Sequence, residues 1–336
     1  MNTSTDDRRR APYLVREPHV HAGYDGLIRY CGASLSAPHG PQYIAHYGTG
    51  VFDFSVDTFD HDECATLLRM PPKETRDRYR HAARQFIVCV EDFDLSLRAL
   101  NTGEVIRTVV QSVGSGALYC GRIRSGEYVV GAALPPLRAE AMDLRMNHLA
   151  NEIRENEFRL GSEHPGGDIP PSPADPGDVN PPSAPRTWSD SGLREQLQTR
   201  LFNDWAYSVG PDDLHYAALY RNWSPVHVGD VFDDPQLGRW FTDIAITSRR
   251  TLYQDIASRL RSDMSRLRHA LRLIIDGPID RLVLDVQAGA LYVHWLQPGS
   301  GDFLVGVTLM QDKVWYAEAR LRRLVERVRH TLSHVE

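Results

Sequence analysis

The chain has almost no lysine. Lys73 and Lys313 are the only lysines among 38 basic residues, and all the others are arginine. Acidic residues number 44, which gives a formal net charge of −6. A chain with this balance has no overall attraction for phosphate backbones or for anionic lipid. We therefore expect neither nucleic acid nor a membrane as a partner.

Cysteine is also scarce. Cys31, Cys64, Cys89 and Cys120 are too far apart to form a CxxC pair, the spacing typical of zinc sites and dithiol redox chemistry. No stretch reaches the roughly 18 apolar residues of a membrane span, and the N-terminus lacks the apolar core of a secretory signal. These features predict buried thiols in a reducing compartment, and we expect a cytoplasmic protein.

Motifs that bind phosphate or carry catalysis are missing. Neither GxxxxGK[ST] nor GxGxxG occurs, so the sequence contains no recognisable phosphate-binding loop of its own. GxSxG and HExxH are absent as well. The adjacent carboxylates Asp212-Asp213 and Asp233-Asp234 are typical of solvated turns rather than of acid/base pairs. We expect a protein that is not an enzyme, with no catalytic residues and no cofactor.

Proline is concentrated in one segment. Between Pro165 and Pro185, eight of 21 residues are proline. A segment with so little to bury cannot offset its ordering entropy. The sequence predicts a disordered segment over residues 1–18, a first domain over 19–160, a linker over 161–190 and a second domain over 191–336.

The two domains resemble copies of each other. Gly116-Ala117-Leu118-Tyr119 recurs as Gly289-Ala290-Leu291-Tyr292, an offset of 173 positions. Residues 127–134 align with 302–309 after a two-residue insertion. Matches that keep their order and a nearly constant offset indicate duplication of one domain.

The second copy has the clearer pattern of secondary structure. Apolar residues at spacings of three and four predict a first helix over about 191–208 and a long amphipathic helix from Leu252 to Ile274. A hairpin separates the two helices, and three strands and a last helix follow the long one. The predicted strands are 215–221 and 225–230 in the hairpin, then 279–286, 290–296 and 303–309.

The first copy repeats this order. A long helix from Tyr79 to Leu100 precedes strands at 104–113, 117–123 and 128–134, and a closing helix follows. The first helix of this copy is interrupted by three glycines, each of which costs about 1 kcal/mol relative to alanine. We therefore expect the first copy to diverge most at its opening helix, around residues 22–35.

The predicted order in each copy is helix, two strands, long helix, three strands and helix. This order resembles that of the roadblock family of dynein light chains and small-GTPase regulators. Residues 193–197, 279–293 and 317–324 resemble the family's first helix, its third and fourth strands with the glycine turn between them, and its final helix. The resemblance implies an α+β protein of two roadblock-like α/β/α sandwiches, each with a mainly antiparallel five-stranded sheet. The type III secretion chaperone-like fold has similar elements, but only two strands follow its middle helix.

The resemblance also implies a function. Roadblock modules are non-catalytic scaffolds or regulators, so we expect a protein partner, with a separately encoded Ras-like small GTPase as the candidate. The family commonly dimerises through the long helix and the neighbouring strand. Two copies in one chain therefore imply an internal pseudo-dimer, or a homo-oligomer formed through the long helices. A chaperone-like or structural interaction module without a GTPase partner is the alternative.

Arginines flank the apolar stripes of both predicted long helices. Guanidinium groups pair bidentately with carboxylates and are enriched at interfaces, so these residues would suit an acidic protein surface. A solvated polar face is the other interpretation. The candidate interface residues are Arg76, Arg80, Arg84, Arg259, Arg261, Arg266 and Arg268.

His19 and His21 are weak candidates for metal ligands. An HxH motif can place two imidazoles on one side of a strand, as some metal-dependent hydrolases require. Such a site also needs a carboxylate cluster, and none is recognisable in the sequence. A metal-dependent enzyme that uses this region is the second alternative.

Overall fold

The structure is a computed structural model that describes residues 11–35, 40–135, 139–168 and 184–334. Helices and strands follow the same order in the two halves of the chain, except that the first half has an additional short helix, α2 (Asp62–Ala65), before its long helix. The elements of the first half are β1 (Tyr13–Arg16), α1 (Asp25–Ser34), β2 (Tyr43–Gly48), β3 (Val51–Asp57), α2 (Asp62–Ala65), α3 (Pro72–Leu97), β4 (Val105–Ser112), β5 (Gly116–Arg124), β6 (Glu127–Ala133) and α4 (Ala139–Asn156). Those of the second half are β7 (Arg186–Ser189), α5 (Glu195–Ser208), β8 (Tyr216–Arg221), β9 (Ser224–Asp230), α6 (Ile246–Leu271), β10 (Ile279–Val286), β11 (Gly289–Trp295), β12 (Phe303–Thr308) and α7 (Val314–Ser333).

The strands form one antiparallel sheet across both halves. Its order is β1-β3-β2-β6-β5-β4-β10-β11-β12-β8-β9-β7, so each half contributes six neighbouring strands. At the centre β4 pairs with β10, and Val109 lies opposite Val283. The predicted α+β class is confirmed. The sheet, however, is a single twelve-stranded one rather than two sheets of five, because the halves join at β4 and β10 and each adds a short edge strand.

Helices cover both faces of this sheet. The long helices α3 and α6 lie on one face, and α1, α4, α5 and α7 lie on the other. Successive strand residues point to opposite faces, so Tyr43 enters the core beneath α3 while Ile44 enters the core beneath α1 and α4. Both faces are therefore covered, and the ten strands between the edge strands β1 and β7 consist mainly of buried residues. In the described residues, no helix is both long enough and apolar enough to cross a membrane.

The two long helices lie side by side and run antiparallel. Each has 26 residues. Near the start of α6, Arg249 donates a hydrogen bond to the carbonyl oxygen of Leu100, just beyond the end of α3. At the opposite ends, Tyr79 of α3 and Ile274 after α6 line one cleft. The start of each helix therefore lies beside the end of the other.

Each half contains an equivalent ion pair at the start of its long helix. Arg76 near the start of α3 donates two hydrogen bonds to Asp57 at the end of β3, at 2.7 and 2.8 Å. Arg250 of α6 makes the same two bonds to Asp230 at the end of β9, at 2.8 and 2.7 Å. In each half a bidentate pair thus fixes the start of the long helix to the hairpin.

The repeated Gly-Ala-Leu-Tyr motif begins the equivalent strands β5 and β11. Gly116 has a φ of +101°, and a Cβ atom there would collide with the carbonyl oxygen of Ala133. A Cβ atom at Gly289 would collide with the carbonyl oxygen of Thr308. Only glycine allows the neighbouring strand to approach this closely, so both copies need it at this position.

Some predicted boundaries differ from the structure. Tyr13–Arg16, within the segment expected to be disordered, form β1 and pair with β3. Arg186–Ser189, within the predicted linker, form β7 and pair with β9. At the other end of that linker, the backbone N–H of Gly166 donates to Asp285 at 2.7 Å. The remaining linker residues 169–183, and residues 1–10, lie outside the described part of the chain.

The glycine-interrupted helix of the first copy does form, as α1. Leu27 and Cys31 of this helix are buried against the sheet, and a Cβ atom at Gly32 would meet open space. Burial of this apolar side of the helix offsets its low intrinsic propensity.

Candidate interaction face on the long helices

The outer surface of α3 and α6 is the candidate interaction face, because their apolar stripes face the sheet and leave the intervening residues in solvent. In α6, Tyr253, Leu260 and Leu267 are buried. The predicted interface residues Arg259, Arg261, Arg266 and Arg268 are all exposed, and so is Arg84 of α3.

Charge is distributed unevenly over this face. The residues of α6 include six arginines and two aspartates; without Arg249, which is buried, and Arg250, which is paired with Asp230 and Asp233, four arginines and two aspartates remain, a formal charge of +2. Residues 72–84 of α3 include five basic and two acidic side chains, a charge of +3, whereas residues 85–97 include three acidic and no basic ones, a charge of −3. Because the helices are antiparallel, the basic start of α3 lies beside the end of α6. One end of the face is therefore strongly basic.

Arg76 does not belong to the accessible part of this face. Its side chain is 11% exposed, and it is bound by Asp57 and Asp60. Burial lowers the pKa of Arg76, but its hydrogen bonds to the two carboxylates outweigh burial and raise that pKa. This arginine holds α3 in place and is not available to a partner.

Arg80 and Arg84 line a groove of about 550 Å³ in the first half, together with His19. The Arg80 guanidinium lies 3.2 Å from Asp77 and 5.5 Å from the centre of the Phe52 ring. The structure thus brings together two predicted interface residues and one of the two histidine candidates.

Arg261 and Arg268 line a second groove, in the second half, with a volume of about 690 Å³. Trp223 and Trp295 line the same groove. Arg266 lies elsewhere on the face, where it bonds to Asp92 of α3 at 2.9 Å and to Asp263 at 2.8 Å. It therefore connects the two long helices.

His19 and His21 make contacts with different partners. The Nε2 atom of His19 lies 2.9 Å from Asp53, while the Nδ1 atom of His21 accepts a hydrogen bond from the backbone of Gly23. Among the described residues, no group of three or more histidine, cysteine, aspartate or glutamate side chains is arranged to hold a metal ion.

A third histidine, His46, occupies the centre of this region and was not identified from the sequence. It is fully buried on β2, with Asp53 at 2.8 Å on one side of the ring and Glu127 at 3.2 Å on the other. Burial lowers the pKa of His46, but its two carboxylate neighbours outweigh burial and raise it. This arrangement favours a charged imidazole locked between two anions, which is a structural role.

A buried ion cluster at the centre of the sheet was also missed. Arg107 of β4 donates to Asp143 of α4 at 2.9 and 2.8 Å and to Asp285 of β10 at 3.0 Å. Arg281 of β10 bonds to Glu318 of α7 and, at 3.2 Å, to Asp143. We call these five residues the central ion cluster. The cluster spans both halves, since its members belong to four elements around the β4–β10 junction.

Burial affects the acidic members of the central ion cluster differently. It raises the pKa of Asp285 to about 6, although Arg107 acts in the opposite direction. Burial alone would raise the pKa of Glu318 too, but Arg281 beside it holds that pKa well below its usual range. The one sequence signal for this cluster is a charged residue within an otherwise apolar strand, as at Arg107 and Asp285.

No protein-family model matches the chain, and no curated protein matches it either. The resemblance to the roadblock family stays a prediction.

Proposed function

We propose that the chain is a non-catalytic scaffold or regulator that binds a Ras-like small GTPase across the face formed by α3 and α6. In this proposal each half is a roadblock-like sandwich, with β1 and β7 added to its five-stranded sheet. The two halves form an internal pseudo-dimer through β4, β10 and the long helices. The three strands that follow each long helix favour this family over the chaperone-like fold.

The observation that carries the proposal is a set of arginines on this face with no carboxylate partner among the described residues. Arg259 donates only to the backbone oxygen of Asp255, and Arg261 lies 6.0 Å from the centre of the Trp223 ring. Arg84 and Arg268 likewise have no acidic partner in the described part of the chain. Guanidinium groups left in this state are suited to bidentate contacts with carboxylates of another protein.

A regulator of this kind acts through differential binding. It would hold the switch loops of the GTPase in one conformation and shift their population, with no reactive group of its own. A structural interaction module without a GTPase partner would use the same face. A metal-dependent enzyme has less support, because His19 and His21 engage separate partners.

Affinity capture tests the proposal. The purified chain serves as bait, bound proteins are identified by mass spectrometry, and the recovered GTPase is then tested as a pure protein loaded with GDP or a GTP analogue. We expect a small GTPase whose affinity depends on the nucleotide. Arg259→Glu with Arg268→Glu should abolish this binding.

The matched control is Arg29→Glu with Arg200→Glu, which reverses two exposed arginines on α1 and α5, on the opposite face of the sheet. Surface changes of this type usually alter stability by less than about 0.5 kcal/mol, so both double variants should fold. Equal GTPase binding by the two variants would place the interface elsewhere. Failure to recover any GTPase would favour the structural module.

A further inference from the structure

We propose that the second groove binds an acidic segment of the partner that also carries an aromatic side chain. We call it the α6 groove, and its defining residues are Trp223, Arg261, Arg268, Arg272 and Trp295. This inference rests on the proposed function, since it names the contact by which the partner is held. With about 690 Å³, the groove is within the range of sites that enclose a small ligand or a short stretch of chain.

The α6 groove has an excess of positive charge. Arg261 and Arg268 have no acidic partner in the described residues, and Arg272 contacts only His269, through its ring and backbone oxygen. The one carboxylate that lines the groove in the described chain is Asp276, which is bound to Arg69 and, at 2.6 Å, to Ser115. Three guanidinium groups therefore lack a counter-charge, and an acidic ligand would supply it.

Trp223 supplies the accessible apolar part of the groove, whereas Trp295 is 4% exposed and belongs to the core. The rings of Trp223 and Trp295 both pack on Phe303, with centroids 5.2 and 5.9 Å apart from it. Trp223 is part-exposed at the tip of the β8–β9 hairpin, and its backbone N–H donates to Gly301 at 2.9 Å. An aromatic side chain of a ligand can stack against such a surface, with an arginine close to the same ring.

The backbone at Trp223 is strained in a way that the first half avoids. Its φ is +67°, in the left-handed region, and a bulky residue is a genuine outlier there. The equivalent position, 173 residues earlier, is Gly50, with a φ of +77°. The second half thus holds a tryptophan at a position where glycine would fit without strain, which points to a use for the ring.

The corresponding surface of the first half lacks this chemistry. The two long helices align at an offset of 174, as Tyr79 with Tyr253 illustrates. At this offset Arg268 corresponds to Asp94 and Arg261 to Ile87. The charge is reversed in one case and absent in the other, so a ligand that suits the α6 groove would be repelled from its counterpart.

Nucleic acid also combines negative charge with stacking groups, but the observations favour a peptide. The chain has a formal charge of −6, which opposes a long polyanion. The acidic half of α3, with Glu91 and Asp92, also lies on the same layer of helices. A short acidic segment can reach the arginines without meeting these carboxylates.

Fluorescence anisotropy with the full chain tests the inference. The probe is a labelled octapeptide of six glutamates, one tryptophan and one phenylalanine, and the comparison ligands are the same peptide with lysine in place of glutamate and an eight-nucleotide oligothymidine. We expect binding of the acidic peptide alone, weakened by added salt. Arg261→Glu with Arg268→Glu should weaken it by about tenfold or more, since two attractive pairs are lost and each is replaced by repulsion.

Arg98→Glu is the matched control, because Arg98 is the counterpart of Arg272 in the first half and is exposed. It should bind the probe as the unaltered chain does. Trp223→Gly should also weaken binding by at least about threefold, with its melting temperature as the check on folding. If this variant does not fold, the comparison of Arg261→Glu with Arg268→Glu against Arg98→Glu decides the test.

Equal binding by the Arg261/Arg268 variant and the Arg98 variant would overturn the inference, as would tighter binding of the oligothymidine. The probe requires no GTPase, so the two proposals fail separately. Loss of peptide binding with intact GTPase capture would refute only the groove. Peptide binding without GTPase capture would refute only the identity of the partner.

Discussion

Replacing Arg107 with leucine should strongly destabilise the protein, because Arg107 connects the two halves inside the sheet. It is almost fully buried and makes three hydrogen bonds to two carboxylates, Asp143 and Asp285. Leucine removes the cation and leaves both acceptors in a dry environment. Asp285 is fully buried and would keep the backbone N–H of Gly166 at 2.7 Å and a hydrogen bond with the Gln311 side chain.

The size of the effect follows from these contacts. Each hydrogen bond to a charged group contributes about 1.5–3 kcal/mol, so the gross loss for three bonds is about 4.5–9 kcal/mol. Burial of the leucine side chain recovers about 2 kcal/mol. Asp143 also keeps its contact with Arg281 at 3.2 Å. We therefore expect the free energy of unfolding to fall by about 3–5 kcal/mol, as measured when one partner of a buried ion pair is removed.

Urea unfolding at pH 7, followed by circular dichroism and tryptophan fluorescence, measures this change. Arg98→Leu, at an exposed position, is the control and should alter stability by less than about 0.5 kcal/mol. The double variant Arg107→Leu with Asp285→Leu should regain part of the loss, because it removes the unpaired Asp285 carboxylate, whereas Asp143 still lacks the two bonds that Arg107 donated to it. A loss below about 1 kcal/mol, or a double variant no more stable than Arg107→Leu, would refute the reasoning.

Two further predictions concern pH and backbone geometry. Burial lowers the pKa of His227 to about 4 from 6.5, so between these values the unfolded chain binds more protons and stability falls as the pH drops. At pH 5 this residue lowers the free energy of unfolding by about 2 kcal/mol. When urea unfolding is measured at pH 7 and at pH 5, the free energy of unfolding should therefore fall by about 2 kcal/mol less in His227→Phe than in the unaltered chain. The raised pKa values of His46 and Asp285 make stability rise as the pH drops, so only a comparison with the variant isolates the effect of His227. The same pH dependence in the variant and the unaltered chain would contradict a lowered pKa for His227. In a separate test, Gly116→Ala should lower the free energy of unfolding by about 2 kcal/mol or more beyond the loss in Gly114→Ala. Both positions have a positive φ, but of the two only an alanine at 116 would place its Cβ atom against a neighbouring carbonyl oxygen. Equal melting temperatures of the two variants would argue against that collision.

Most of the elements could be predicted because their apolar residues repeat clearly. The strands β10, β11 and β12 lie within one residue of their predicted bounds, and α6 begins six residues before and ends three residues before the predicted helix. The edge strands β1 and β7 could not be predicted in this way. Each has four residues, and Tyr13 and Trp188 within them are exposed, so neither strand shows the alternation of a half-buried strand.

The candidate site was only partly predictable. Helical periodicity placed Arg259, Arg261 and Arg268 in solvent, as the structure does. Arg76 has the same sequence context but is held by Asp57, which comes from another element. The pairing of β4 with β10 could not be predicted either, because strands covered on both faces are mostly apolar and their sequence does not indicate which strand lies next to them. Contacts between distant segments decide these features, and periodicity within one segment contains no information on them.

The two halves match each other in the core but differ on the surface. In the core, Tyr79 and Tyr253 occupy the same helical position and both are buried. On the surface, Arg266 corresponds to Asp92 at the same offset, and these two side chains bond to each other across the long helices. In a dimer of identical chains both positions would carry the same residue, and two like charges would meet there. Within one chain the two positions can differ, so one long helix can be basic while the other keeps an acidic half. The two halves together can then offer one charged groove in place of two equal ones.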